Sequence, residues 1–255
     1  MAEINPYQAP QAHVADTAPT EGNLVAEPKA VDIGRGLAWL SEGWAMFKQA
    51  PGIWIAITVI AGVFFIVLGF IPVLGQLVSP ILSVIVGGGI MLGCRALDRG
   101  EPLSISHLFA GFQTHLMPLV VVGALYLVGM FVIVLVAAAF TGGAAFALWR
   151  GGDAAAAAVG SMLIVILIML LLMIPLLMAL WFAPALVVLH NVAPVESMKL
   201  SLRGCLRNIL PFLVYGVIAF ILGVLASLPL ALGWLVLLPV LASSAYASYR
   251  DIFLA

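Results

Sequence analysis

Between Gly52 and Tyr249 the chain holds six apolar runs with no ionisable residue at depth. Their approximate limits are 52–71, 77–97, 118–140, 158–189, 211–228 and 234–249. In hydrocarbon a backbone must satisfy its own N–H and C=O groups, so segments of this length and composition fold as transmembrane helices. Only 8% of the 255 residues are charged, 64% are hydrophobic, and the mean hydropathy is +1.23. A soluble domain carries about a quarter charged residues, so this chain could not clothe itself for water. The fold class expected is all-α, a polytopic membrane protein of six transmembrane helices.

The runs are organised as a repeat. Each unit is a short amphipathic lead-in helix at the interface, a proline, then a helical hairpin. The anchors are Gly43 with Pro51, Gly111 with Pro118, and Gly204 with Pro211. A proline suits the first turn of a helix, where its missing N–H costs little. In the first lead-in helix Leu37, Leu40, Trp44 and Phe47 recur at helical spacing; in the second, Ile105, Leu108, Phe109, Phe112 and Leu116 do. The fourth run is about 32 residues, roughly 48 Å as continuous helix, against a hydrocarbon core of roughly 30 Å. Pro175 and Pro184 are expected to kink it or carry its end beyond the bilayer. Gly87-Gly88-Gly89 and Gly93 permit close helix approach, and no P-loop Lys or Ser/Thr follows them.

The third lead-in helix, Val195 to Pro211, carries most of the charge. At roughly 100° per residue, Glu196, Lys199, Arg203 and Arg207 share an arc of about 80°. Val195, Met198, Leu202, Leu206 and Ile209 occupy a neighbouring arc, with Ser197, Ser201, Gly204 and Asn208 elsewhere. Such a helix suits the membrane surface, apolar stripe in the acyl boundary and cations toward phosphates.

Six spans put both termini and all three lead-in helices on one side, with Lys29, Arg35, Lys48, Arg95, Arg99, Lys199, Arg203, Arg207 and Arg250. The opposite side keeps only Arg150. The cation bias predicts that the termini are cytoplasmic. Cys94 and Cys205 then face a reducing compartment as free thiols. Residues 1–31, rich in Pro and Ala, are expected to form a disordered cytoplasmic tail ahead of a membrane domain over 32–255. Within the tail, Asn5-Pro6-Tyr7-Gln8 is a candidate docking peptide beside the plainer reading of a solvated leader. No signal peptide is expected, because the first thirty residues lack an apolar run and a basic region.

A search for chemistry is mostly negative. Ion pumps, proton-coupled carriers and intramembrane hydrolases usually need an ionisable group at depth. The deep polar groups here include Thr58, Ser79, Ser83, Tyr126, Ser161, Tyr215, Ser227, Ser243, Ser244 and Tyr246, with no histidine placed to activate a serine. His107 and His115 are too far apart along their helix to share a metal directly, and His190 could approach them only through the fold. These histidines read as interfacial caps. Asp98, Glu101, Glu196 and Asp251 read as loop charge pairs with adjacent basic residues, and the tryptophans as an aromatic belt. Ten Lys and Arg without aromatic interleaving argue against nucleic acid.

Four strings together carry a resemblance: His107-Leu108-Phe109-Ala110-Gly111-Phe112, Trp181-Phe182-Ala183-Pro184-Ala185-Leu186, Leu206-Arg207-Asn208-Ile209-Leu210-Pro211-Phe212, and Tyr246-Ala247-Ser248-Tyr249-Arg250-Asp251-Ile252-Phe253. Over about residues 32–255 the chain resembles an uncharacterised family of proteobacterial six-span inner-membrane proteins. In layout it is distantly similar to the membrane domain of some glycerophosphoryl diester phosphodiesterases, whose catalytic barrel it lacks. The resemblance implies a bacterial inner-membrane location and transfers no catalytic residue.

The expected function is therefore non-enzymatic: membrane organisation through contact with lipid headgroups or a membrane partner. Lys199, Arg203 and Arg207 are the candidate binding residues, with no cofactor and no metal. Membrane lipids are the expected partners, with a membrane protein or a second copy as further possibilities. The alternative is a transporter or channel with a cavity lined by the hydroxyls above and by Gly87–Gly89.

Overall fold

The computed structural model describes residues 22–149 and 154–255. The expected docking peptide at residues 5–8 and the far-side Arg150 lie outside the described residues. Ten helices follow in order: α1 Arg35–Gln49, α2 Pro51–Gly69, α3 Leu74–Asp98, α4 His107–Thr114, α5 Leu116–Trp149, α6 Ala154–Trp181, α7 Ala183–His190, α8 Pro194–Arg207, α9 Ile209–Ser227 and α10 Trp234–Phe253. Prolines stand in the first turn of α2, α7 and α8, where no intrahelical N–H is lost. The long fourth run breaks at Phe182, where Pro184 starts α7, whereas α6 runs on through Pro175.

Among the described residues, five helical segments are long and apolar enough to cross a membrane: Pro51–Gly69, Leu74–Asp98, Leu116–Gly142, Gly160–His190 and Ile209–Ser227. By this measure the expected count of six falls to five, because α10 does not qualify. Its second half, Ser243-Ser244-Ala245-Tyr246-Ala247-Ser248-Tyr249-Arg250-Asp251, mixes hydroxyls with charges, and most of it is buried against protein. Composition drops where packing replaces lipid.

The helices pack in a ring. α1, α4 and α8 each lie along the last long helix of a neighbouring pair: α4 on α3, α8 on α6, and α1 on α10, which joins the first lead-in helix to the last helix of the chain. Small residues make these approaches possible. A Cβ added at Gly43 would stand 2.5 Å from the Val240 carbonyl oxygen and 2.8 Å from the Ser244 nitrogen. One added at Gly111 would strike the Ile85 carbonyl, and one at Gly89 the His107 carbonyl. Gly88 meets the side chains of Leu119 and Val188, so Gly88 and Gly89 serve contacts within one chain, while a Cβ at Gly87 would meet nothing within 4 Å.

The packed core sits where these helices meet. Trp39, Phe47, Trp54, Cys94, Phe182, Leu186, Tyr249 and Phe253 are buried there, and Trp39 packs at a tilt of 44° on Phe212, with 5.1 Å between ring centroids. Trp39 and Trp54 are thus core residues and not part of an aromatic belt; Trp44 and Trp181 remain exposed.

Residues 22–31, which the sequence places in a loose tail, are laid against the body of the protein. Val25 and Lys29 donate backbone bonds to Phe253 and Ile252 at 2.9 and 2.8 Å, and Leu24 bridges to Leu254. The pairing accounts for this: the last turn of α10 has carbonyls without intrahelical partners, and the segment supplies N–H groups to two of them.

Alanine substitution separates tight from open glycines. Gly43→Ala and Gly111→Ala are expected to cost about 1–3 kcal/mol by overpacking. Gly62→Ala, with nothing within 4 Å of its Cβ, should be neutral or gain up to about 1 kcal/mol from helix propensity. Unfolding midpoints in detergent would show the split.

Candidate functional site

α8 has three faces, and the structure assigns each a different neighbour. The inner face is the small polar one: Ser197, Leu200, Ser201, Gly204, Cys205 and Asn208 are buried. Ser201 Oγ donates to the Met178 carbonyl at 2.6 Å and accepts from the Phe182 N–H at 2.9 Å, closing the break between α6 and α7. A Cβ at Gly204 would stand 2.6 Å from the Phe253 ring. Short side chains let α8 sit close to α6 and α10, which large apolar ones could not do.

The second face is the apolar stripe. Val195, Leu206 and Ile209 are exposed, as an acyl boundary requires, whereas Met198 and Leu202, expected in the same stripe, are half-buried, Met198 against the core. The third is the basic arc, and Lys199, Arg203 and Arg207 all stand exposed beside that stripe. Lys199 meets Glu196 at 3.8 Å and Arg207 meets Glu27 at 3.5 Å. Exposed pairs of this kind are worth about 0–1 kcal/mol, so a phosphate can displace them.

Asn208 fixes the end of the helix. It is 1% exposed, donates to the Lys29 carbonyl at 2.8 Å and to the Gly204 carbonyl at 2.9 Å, and accepts the Val31 N–H at 2.8 Å. The amide thereby pins residues 29–31 beside the basic arc. Nothing in the sequence marks Asn208 as more than a polar residue before a span; two of its three partners lie 177 and 179 residues away.

A second polar site lies where the C-terminal ends of α3, α7 and α10 meet. Arg35 donates from Nε to Asp251 at 2.5 Å and from a terminal nitrogen to Glu42 at 2.7 Å, and the Trp39 indole donates to Asp251 at 2.7 Å. Burial opposes the charge on Arg35, yet Asp251 and Glu42 together hold its pKa above the ordinary value. Arg250 pairs with Asp98 and reaches Glu42 at 3.4 Å. Asp98 and Asp251 thus also pair across the fold, with Arg250 and Arg35. A cavity of about 350 Å³ opens here, lined by Arg95, Asp98, Arg99, His190, Tyr249 and Arg250 among others.

The histidines go separate ways. His107 Nδ1 bonds the Ser104 N–H at 3.1 Å, His115 bonds Asn191 at 2.8 Å, and His190 bonds the Tyr249 hydroxyl. Among the described residues no group of three or more His, Cys, Asp or Glu could hold a metal ion. Ser79, Ser83 and Tyr126 share a groove of about 340 Å³, but Gly88 and Gly89 are packed elsewhere and do not join them.

No family model and no solved structure matches the chain. A curated relative, probable inner membrane protein BTH_II0599 of Burkholderia thailandensis, is 28% identical over 221 residues, which is 83% of this chain and 80% of that one. With several apolar helices of spanning length, that similarity fits one kind of object. The chain is a multi-pass membrane protein.

Two measurements check the local geometry. Burial pushes the Cys205 thiol up to about 12, so maleimide at pH 8 should label it only after unfolding, and the reaction should quicken toward alkaline pH. Asn208→Ala removes three bonds from a buried site and should cost roughly 2–4 kcal/mol at about 1 kcal/mol each plus unmet partners. Its signature is faster hydrogen exchange at Val31 than at α3.

Proposed function

We propose that this is a non-enzymatic protein of the bacterial inner membrane that organises lipid by holding anionic headgroups against α8. Lys199, Arg203 and Arg207 make the contact. The carrying observation is the division of α8 into a locked inner face, an exposed apolar stripe and an exposed basic arc beside it. A helix held this way cannot turn its cations inward, and it cannot float off the surface. Its stripe sits at the depth of the first acyl carbons, which places the guanidinium and ammonium groups level with phosphates.

The cation bias of the sequence, nine against one, supports a cytoplasmic face for the termini and the three lead-in helices. The relative's description as an inner membrane protein supports the compartment. Lipid is the partner that the stripe fits.

The test is neutralisation. Lys199→Gln, Arg203→Gln and Arg207→Gln together should reduce enrichment of anionic lipid around the protein by about tenfold or more, at about 1 kcal/mol per cation. Spin-labelled anionic and zwitterionic lipids in nanodiscs report the enrichment, and raised salt should mimic the loss. Insertion and thermal midpoint should be unchanged. Equal enrichment in the variant would remove headgroup binding by α8.

A further inference from the structure

The segment that runs along the end of α10 leads to the polar cavity. Asn208 holds it at Lys29 and Val31, and from there it passes residues 252–255 in the opposite direction. The Lys29 N–H bonds Ile252, Val25 bonds Phe253, Leu24 bridges antiparallel to Leu254, and the Ala255 N–H closes the series on the Asn23 carbonyl at 3.0 Å. A Cβ added at Gly22 would stand 2.8 Å from the Leu254 Cβ, so glycine permits the last close step. Gly22 itself lines the cavity. Residues 1–21, outside the described residues, are thus attached at the cavity wall.

That wall is rich in donors for an anion. It presents three guanidiniums, from Arg95, Arg99 and Arg250, against the two side-chain carboxylates of Asp98 and Asp251. Both carboxylates are engaged within the protein, Asp98 by Arg250 and Tyr246, Asp251 by Arg35 and Trp39. The Arg99 N–H bonds the Arg95 carbonyl at 3.1 Å, so the two side chains leave the end of α3 on one face, a turn apart. His190 and Tyr249, bonded to each other, add polar groups from α7 and α10. Guanidiniums present planar forks of N–H donors that match the oxygens of a carboxylate.

The chain carries its own anion to this place. Residues 1–21 contain Glu3, Asp16 and Glu21 and no Lys or Arg. Glu21 is joined to Gly22, so its Cα lies about 3.8 Å from that of a wall residue. Asp16 is six residues from Gly22, within a reach of roughly 20 Å. A ligand on so short a tether meets its site at an effective concentration on the order of millimolar, an advantage that no untethered anion has.

We propose that the cavity is a carboxylate-binding site whose ligand is the acidic segment of this chain at residues 16–21, with Glu21 entering against Arg95 and Arg99. Bound there, the segment ties the end of α3 to the end of α10 and keeps other anions out of the cavity. Headgroup binding by α8 uses other cations, so either reading can fail without the other.

Distance measurement between spin labels tests it on the full chain in nanodiscs. Thr17→Cys and Pro102→Cys carry the nitroxides; Pro102 is exposed just beyond α3, and Cys94 and Cys205 are buried. In zwitterionic lipid the pair should give one narrow distance distribution. Asp16→Asn with Glu21→Gln should broaden it, lowering the ratio of docked to undocked segment by about tenfold, and raised salt should act in the same direction. Arg95→Gln with Arg99→Gln should match that loss. The Asp16 and Glu21 variants leave every described residue unchanged, so the outcome stands even if the arginine variant fails to fold. A broad distribution in the unsubstituted tail, or a narrow one that survives neutralisation of Asp16 and Glu21, would overturn the proposal. A distribution narrow in zwitterionic discs and broad in anionic ones would give the site to lipid headgroups and equally remove the tail as its ligand.

Discussion

Close contact between a lead-in helix and the backbone of another helix is the interaction on which the rest of this protein depends. Gly43 against Val240 and Gly111 against Ile85 bring main chains nearer than any side chain would allow. The gain is dispersion over a long shared surface in a medium where burying apolar groups from lipid earns little. Where that contact exists the helices are packed and their residues buried. Where it ends, toward the turns, the helices part and expose apolar side chains to lipid.

The polar groups follow the same geography. Carboxylates and guanidiniums gather at the packed end, where Arg35, Glu42, Asp98, Arg250 and Asp251 tie α1, α3 and α10 together. A half-buried network of this kind contributes specificity of arrangement more than raw stability. It tells α1 which helix it belongs beside. α8, carrying the basic arc, is held to its neighbours by hydroxyls and an amide instead, which leaves its cations turned outward.

Much of this was legible in the sequence. The glycine–proline anchors marked the lead-in helices, and Pro184 marked the break after Trp181. The basic arc of α8 was readable from helical periodicity alone. What could not be read is equally specific. Ser197, Ser201 and Asn208 look like indifferent polar residues until their partners at Met178, Phe182 and Lys29 are known. Asp98 sits beside Arg99 in the chain, and its pairing with Arg250 is unreadable there, because α10 brings that guanidinium across the fold. Residues 22–31 look loose by composition and are held by the orphan carbonyls of a helix end far away in sequence. α10 reads as a span by hydrophobic runs, yet its lower half is protein interior. In each case the missing information is a long-range contact, which local pattern does not encode.

The pairing of α1 with α10 also bears on the order in which the protein is made. α4 and α8 meet helices already synthesised, whereas α1 must wait for about two hundred residues before its partner emerges. During that interval Trp39 and Phe47 have no core to enter, and the membrane surface is the natural place to keep them. The ring is therefore sealed by its first and last elements, and a ribosome that stalls before α10 leaves a chain whose opening helix is still waiting.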